Sequence, residues 1–210
     1  MSLKAILIKI GNWQNGRDFW IYLAIFSSFC VFFSHYFFQK YLFMLPCEQC
    51  VYVRFALCVI ALGAIFAAIN PKNIFLKILG FVFGIYGVIL GISSALHLNA
   101  IHKALHGGDM FGIQGCSAEP KFIFNLPLHE IFPAIFKPLG DCGYDMPVVP
   151  SGAKLDTTQE VLIKLYENGW YLVPQIKLIN LAECSFILFF VITILFALTI
   201  LFGILMRNRF

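Results

Sequence analysis

The chain has 210 residues, of which 60% are hydrophobic and 12% charged, and its mean hydropathy is +0.83. This composition is too apolar for one soluble domain and indicates a protein that crosses a membrane several times. The formal net charge of +4 does not indicate nucleic-acid binding, because the basic residues form no run interleaved with aromatic residues. The first apolar run has no small-residue cleavage site, so we expect that run to be retained.

Four apolar runs are long enough to cross about 30 Å of hydrocarbon, which takes about 20 helical residues. They predict membrane spans over residues 19–38, 50–69, 74–98 and 184–205 of a single integral membrane domain, 1–210. Two Gly-x-x-x-Gly spacings in the third run, Gly80 with Gly84 and Gly87 with Gly91, predict close packing of helix backbones. The expected fold is an all-α, four-transmembrane-helix bundle with a short and a long loop on one side.

Basic residues near the predicted span ends indicate the orientation of the chain. They lie at both termini and between the second and third spans: Lys4, Lys9, Arg17, Lys72, Lys77, Arg207 and Arg209. The short loop on the other side, residues 39–45, carries only Lys40. The positive-inside rule therefore predicts cytoplasmic termini, and it puts the short loop and the long loop, residues 99–183, on the opposite side. In a Gram-negative cell that side is the periplasm.

The most informative stretch opens the second span. Pro46 precedes a Cys-x-x-Cys pair, Cys47 and Cys50, and proline fits the start of a helix, where its missing N–H costs nothing. The free N–H groups and the helix dipole at such a position lower a thiol pKa. Arg54 follows Cys50 by four residues and so lies on the same helix face, about a turn deeper. A cation in an apolar run indicates function; the alternative is an arginine that snorkels to the surface.

The chain has seven cysteines, which fall into two groups. Three lie inside apolar runs and are expected to be small buried hydrophobes: Cys30, Cys58 and Cys184. The others form the Cys-x-x-Cys pair and a second pair in the long loop, Cys116 and Cys142, both flanked by glycine. Two pairs on one side of a membrane indicate disulfide chemistry in an oxidising compartment. Thiolate attack on a disulfide sulfur would pass oxidation from one pair to the other.

Other interpretations of these residues remain open at this point. The four cysteines outside the apolar runs would also suit a Cys₄ zinc site, although zinc sites usually have a tighter second pair. They would also suit two purely structural disulfides, which leaves Arg54 unexplained. His102 and His106 share a helix face and suit a metal, but histidines at a span end more often lie at the membrane interface. A cysteine pair above a buried Arg54 also suits a lipid-soluble electron acceptor such as a quinone, because Arg54 would donate a hydrogen bond to a quinone oxygen. His97 or His102 would alternatively donate a hydrogen bond to such a quinone. We expect no metal site.

The long loop contains two segments with membrane-surface character. Residues 122–136 are too apolar for a solvated loop and are expected to rest on the bilayer surface. Thr157 and Glu160 have the spacing of a capping box and predict a short helix over residues 158–168, with Gly169 as its stop. Trp170 and its neighbour favour the membrane–water interface. We therefore expect residues 161–173 to form a membrane-parallel element.

These motifs together resemble the DsbB family of bacterial disulfide-bond formation proteins. The resemblance rests on Pro46-Cys47-x-x-Cys50-x-x-x-Arg54 at the head of the second span, and on Cys116 and Cys142 in an outer loop. It covers most of the chain, with four spans, two outer loops and both termini inside. The Gly140-Asp141-Cys142 context also matches, and the stretch over residues 147–174 looks more like the DsbI branch.

The resemblance implies a function and roles for individual residues. A periplasmic thioredoxin-fold protein of the DsbA or DsbL type attacks Cys116 of a Cys116–Cys142 disulfide, and the released Cys142 attacks Cys47. Cys50, freed as a thiolate, passes electrons to ubiquinone or menaquinone beside Arg54, with His97 as a further candidate contact. The expected location is the bacterial inner membrane with the active face in the periplasm. Two alternatives are a quinone reductase similar to the vitamin K epoxide reductases and a non-catalytic, disulfide-stapled membrane partner.

Overall fold

The computed structural model describes residues 12–107 and 116–207, without the side chains of residues 106, 107 and 205–207. The structure is mostly helical, and four of its helices are long and apolar enough to cross a membrane: Arg17–Tyr41, Glu48–Ile69, Ile74–Leu105 and Leu181–Ile204. The predicted fold class, a four-helix membrane bundle, is confirmed. Each predicted span overlaps one of these helices, and the third helix extends past the predicted end at residue 98.

The first span changes its helical form along its length. Helix α1 covers Arg17–Phe33, and a π-helical segment, Ser34–Tyr41, continues it. Beyond it, the Leu42 N–H still donates to the carbonyl of Phe37 at 2.9 Å. π-Helical turns are rare and often lie at functional sites. The apolar pattern of this span did not predict the π-helical segment.

Helices α2 and α3 form the second and third spans. Helix α2 covers Glu48–Ile69 and α3 covers Ile74–Gly107, with Asn73 capping the start of α3 through a bond from the Phe75 N–H of 2.9 Å. The last span belongs to helix α7, Leu181–Arg207. The chain divides into two compact units, one made of Met1–Cys30, Ala56–Ile89 and Leu188–Phe210, and the other of Val31–Phe55 and Leu90–Ile187.

The first unit has a core of aromatic rings and closely packed backbones. Trp20 is fully buried, with the ring of Phe81 at 5.0 Å and that of Phe196 at 6.4 Å. A Cβ added to Gly80 would lie 3.0 Å from the carbonyl oxygen of Gly63 and 2.7 Å from the Ala67 Cβ. At Gly80 the glycine spacing of the third span therefore permits the predicted close packing of helix backbones, since only a hydrogen side chain leaves room for α2.

The second unit contains the long outer segment, which carries several short elements. They are α4 (Leu128–Ile131), α5 (Pro133–Phe136), α6 (Thr157–Leu165) and two short antiparallel strands, β1 (Tyr171–Val173) and β2 (Leu178–Asn180). The strands lead directly into α7.

The predicted capping box is wrong by one residue. Asp156, not Thr157, is the N-cap of α6, and the Gln159 side chain accepts a hydrogen bond of 3.4 Å from the Asp156 N–H. Gln159 also donates to the Tyr41 carbonyl at 2.6 Å, so a tertiary contact favours this register. Helix α6 ends at Leu165 instead of residue 168, and the positive φ of Gly169, 102°, follows a few residues later.

Candidate active site

Cys47 immediately precedes α2, and Cys50 lies in the first turn of that helix. Both are free thiols, and the Cys50 N–H donates to the Cys47 sulfur at 3.3 Å. The pKa of Cys47 is raised well above its usual value. The first cause is a hydrogen bond between its thiol and the Cys50 sulfur, and the second is burial. The expectation that the helix start lowers the thiol pKa is therefore wrong for Cys47. We call Cys47 and Cys50 the inner pair.

Cys116 and Cys142 form a disulfide, with their Cα atoms 5.8 Å apart; we call them the outer pair. The outer pair and the inner pair share one buried cluster. Cys47 and Cys142 belong to this cluster, and Cys50 and Cys116 pack against it. Its other members come from α3 and the start of α7, namely Leu98, Ile101 and Ala182, and Leu105 packs against it. The structure thus brings together all four cysteines that the sequence singled out.

The chain around Cys142 is fixed by main-chain hydrogen bonds to the residues just before the inner pair. Leu139 and Gly140 both donate to the Pro46 carbonyl, at 2.8 and 3.2 Å, and Val148 donates to the Phe43 carbonyl at 3.0 Å. A Cβ on Gly140 would lie 2.9 Å from the Leu45 Cβ, so the absence of a side chain permits this approach. We call residues 139–148 the Cys142 arm.

The chain after Cys116 is fixed by side chains of α2 instead. The Ser117 N–H donates to a carboxylate oxygen of Glu48 at 2.6 Å. The Tyr52 hydroxyl donates to the other Glu48 oxygen at 3.1 Å and accepts a bond of 2.8 Å from the Lys121 N–H. We call residues 116–121 the Cys116 arm. Sequence reasoning missed Glu48 and Tyr52, whose helical i, i+4 spacing was the available signal.

Arg54 lies four residues beyond Cys50 on α2, about one turn of helix deeper. Only 4% of its surface is exposed. Its guanidinium donates to the side-chain oxygen of Gln39 at 2.8 Å and to the carbonyls of Ile135 and Ser34, each at 3.2 Å. These three acceptors are neutral oxygens, and they fix the orientation of the guanidinium. The snorkelling alternative is contradicted, because the guanidinium is bonded inside the protein.

Two residues of the π-helical segment complete this polar group, and sequence reasoning missed both. Gln39 accepts the Arg54 bond, and the Nδ1 of the buried His35 lies 3.2 Å from the same Gln39 oxygen. Because arginine only donates, the Gln39 atom that it contacts must be oxygen, and His35 Nδ1 must therefore carry a proton. The only advance signal was a pair of polar residues four apart near the end of an apolar span.

The histidines of α3 differ in their surroundings. His97 is exposed, while His102 is buried, with its Nδ1 3.5 Å from Asn180 and its ring 6.0 Å from that of Tyr171. The side chain of His106 lies outside the described residues. Among residues 12–107 and 116–207, no group of three or more histidine, cysteine or acidic residues is arranged to hold a metal.

The three cysteines of the apolar runs, Cys30, Cys58 and Cys184, lie outside any disulfide and are half-buried. The expectation that they are buried is wrong, because part of each side chain remains exposed. The flanking glycines that precede Cys116, at positions 112 and 115, lie outside the described residues.

A membrane-spanning helical protein in which a dithiol and a disulfide share one buried cluster belongs to the class of membrane thiol–disulfide oxidoreductases. The comparisons with known proteins agree with this class. The family model described as "Disulfide bond formation protein DsbB" matches residues 16–199, and the chain belongs to the DsbB family. It is a protein-disulfide oxidoreductase.

Several curated relatives are similar along most of their length. A protein from Campylobacter fetus subsp. fetus is 50% identical over 187 residues, which are 89% of this chain and 87% of the relative. "Protein-disulfide oxidoreductase DsbI" of Escherichia coli O1:K1 / APEC is 48% identical over 183 residues, 85% of this chain and 82% of the relative. The protein of that name in Salmonella typhimurium strain LT2 is 48% identical over 183 residues, 85% of this chain and 81% of the relative. No solved structure matches the chain.

Proposed function

We propose that this protein is the quinone-dependent oxidase of a periplasmic thioredoxin-fold dithiol protein of the DsbA or DsbL type. It works in the bacterial inner membrane with its cysteine cluster on the periplasmic face. The observation that carries the proposal is that the Cys116–Cys142 disulfide, Cys47 and Cys50 share one buried cluster. Sulfurs that already share a cluster need only a small movement to exchange a bond.

The proposed path moves two electrons inward through four sulfurs. A partner thiolate attacks Cys116, a mixed disulfide forms, and Cys142 leaves as a thiolate. Cys142 attacks Cys47 of the oxidised inner pair, which releases Cys50 as a thiolate. The second partner thiol then frees Cys116, which attacks Cys142 and releases Cys47. The net result is an oxidised partner, a restored outer disulfide and a reduced inner pair.

The residues below Cys50 fit a quinone as electron acceptor. Arg54 is buried, and its guanidinium is held in place by hydrogen bonds to Gln39, Ser34 and Ile135. A fixed, buried donor of this kind stabilises an anionic oxygen. Arg54 would hold a quinone oxygen, and His97 is a candidate second contact. When bound, a quinone supplies a lipid-soluble acceptor for two electrons and two protons. The protons balance those lost by the partner dithiol.

The direction of transfer follows from reduction potentials. A partner of the DsbA type is strongly oxidising, at about −120 mV, so its reoxidation requires a still stronger acceptor. A glutathione pool at about −180 to −320 mV does not meet this requirement. A membrane quinone pool kept oxidised by respiration does. This argument applies equally to ubiquinone and menaquinone.

The test is a stopped-flow assay with purified protein, a reduced thioredoxin-fold partner and added quinone, following quinone absorbance. We expect turnover with the native chain and none with Cys47→Ser, Cys50→Ser, Cys116→Ser or Cys142→Ser. Cys30→Ser is the matched control and should turn over normally, since Cys30 lies in the other compact unit. Full partner-driven quinone reduction by Cys116→Ser would contradict the proposal.

A further inference from the structure

The two arms of the outer disulfide are attached to the inner-pair helix by different kinds of bond. The Cys142 arm is held by main-chain bonds to the Pro46 carbonyl, which no side-chain substitution removes directly. The Cys116 arm is held through the Glu48 carboxylate and the Tyr52 hydroxyl. The attachment of Cys116, the cysteine proposed to meet the partner, therefore depends on two side chains.

Glu48 is well suited to this attachment. It occupies the first position of α2, where a carboxylate interacts favourably with the helix dipole. Both of its oxygens are used, one by the Ser117 N–H and the other by the Tyr52 hydroxyl. A hydrogen bond from a main-chain N–H to a carboxylate is stronger than one to a neutral oxygen. Ser117 directly follows Cys116, so this bond restricts the position of the Cys116 sulfur.

We propose that Glu48, supported by Tyr52, is a positioning residue that holds the Cys116 arm against α2 and thereby stabilises the Cys116–Cys142 disulfide against reduction. The hydrogen bonds of Glu48 and the Cys116–Cys142 disulfide constrain the same loop. With the arm held, the two sulfurs need less ordering to form their bond, and the formed disulfide in turn favours the arm contact. The inference rests on the proposed function only in giving the outer pair a redox role.

The consequence for function is selectivity toward the reductant. A small thiol must reduce a disulfide whose arm is held by Glu48. A protein partner that binds over the Cys116 arm would compete for the Ser117 N–H. Glu48 thus makes the outer disulfide harder to reduce in the absence of a partner.

The experiment measures the equilibrium between the outer disulfide and dithiothreitol in the full chain. Cys47→Ala and Cys50→Ala are both present in the background, so that only the outer pair exchanges. Two thiols appear in the outer pair as one dithiothreitol molecule is oxidised, and acid quenching with maleimide labelling gives the reduced fraction. Neither quinone nor partner is needed. Loss of quinone turnover would therefore overturn the proposed function without affecting this result.

We expect Glu48→Ala to shift the equilibrium constant toward the reduced outer pair by about fivefold, which is about 20 mV for a two-electron couple. Glu48→Gln keeps an acceptor oxygen and should recover part of the shift. Tyr52→Phe should give about a twofold shift, because it removes the hydroxyl but keeps the ring that packs against Phe122 at 5.8 Å. Glu160→Ala, which removes an exposed carboxylate from α6, should give no shift.

Two results would overturn the proposal. One is a Glu48→Ala equilibrium constant equal to that of the parent; the other is an equal shift in Glu160→Ala, which would indicate a general charge effect. Should Glu48→Ala fail to fold, Tyr52→Phe decides the question, and its lack of a shift counts against the proposal.

Discussion

Arg54 is a buried cation whose orientation is fixed by hydrogen bonds inside the protein. Its three bonds go to Gln39, Ser34 and Ile135, so the guanidinium fork is oriented from two sides. Alanine would remove the charge and leave these oxygens without their donor. Lysine would keep the charge as a single point and lose the fork.

We expect Arg54→Ala to lower quinone turnover by about 100-fold, the usual cost of removing one preorganised donor for a developing negative charge. Arg54→Lys should lie between the alanine variant and the native chain. Formation of a Cys47–Cys142 bond should proceed normally in both variants, because Arg54 lies deeper than the sulfurs. Steady-state rates against quinone concentration, with His97→Ala measured beside them, provide the test. Equal turnover in Arg54→Ala and the native chain would exclude the assigned role.

The raised pKa of Cys47 makes a prediction about its reactivity with alkylating reagents. A raised pKa means fewer thiolates at pH 7 than in an ordinary thiol, and the thiolate is the reactive form. Alkylation of Cys47 in the reduced protein should therefore be slow at pH 7 and rise steadily toward higher pH. Cys50→Ala removes the largest cause of the raised pKa, so it should speed alkylation at pH 7 severalfold. Peptide mass spectrometry gives the rate; an unchanged or slower reaction in Cys50→Ala would contradict this cause.

At the scale of elements, the Cys142 arm shows why the outer pair lies where it does. Gly143 follows Cys142 with a φ of 85°, and a Cβ there would collide with Leu105 and approach Ile101 of α3 to 3.3 Å. Gly152 has nearly the same φ, 86°, and no atom within 4 Å of an added Cβ. Comparing alanine substitutions at Gly143 and Gly152 therefore separates the effect of backbone strain from the effect of packing.

Gly143→Ala and Gly152→Ala should both lose about 1–2 kcal/mol of stability from the left-handed backbone. Gly143→Ala should lose about 1–3 kcal/mol more, because its methyl group overpacks the contact with α3. Thermal unfolding in detergent, followed by circular dichroism, measures the difference. Equal losses in the two variants would mean that the arm does not pack on α3 as described.

The sequence predicted some of these elements well and others not at all. The spans and the cysteine pairs follow from strong local signals, namely long apolar runs and a Cys-x-x-Cys after proline. The π-helical segment Ser34–Tyr41 has no such signal, since its polar residues are arranged by bonds to Arg54. The β1–β2 hairpin was also missed. Positive φ occurs at Lys177 in the connection and at Ile179 within β2, and no glycine or asparagine marks a turn at either position.

At the scale of the whole molecule, the distribution of charge indicates how the chain lies in the membrane. In the first compact unit, Arg17 donates to the Ile69 carbonyl at 3.3 Å and Lys77 donates to the Asn15 side chain at 2.7 Å. Basic residues from the N-terminal region and from the start of α3 therefore lie at one end of that unit. The topology that we propose from the positive-inside rule puts this end in the cytoplasm.

Cysteine labelling of intact Gram-negative cells tests this orientation. Lys137 and Lys72 are both exposed, and the proposed topology puts them on opposite sides of the membrane. A membrane-impermeant maleimide should label Lys137→Cys in intact cells and Lys72→Cys only after permeabilisation. Labelling of Lys72→Cys alone in intact cells would show the opposite topology and would contradict the proposal of a periplasmic partner.

The central claim is that the outer pair and the inner pair exchange electrons with each other. The most direct measurement uses a full chain with Cys50→Ser and Cys116→Ser, which leaves Cys47 and Cys142 without their partners, under mild oxidation followed by peptide mass spectrometry. We predict that a Cys47–Cys142 disulfide forms in most molecules and faster than any bond to Cys184, the other free cysteine of the same unit. The account would be contradicted if Cys47 and Cys142 remained unlinked while the protein stayed folded.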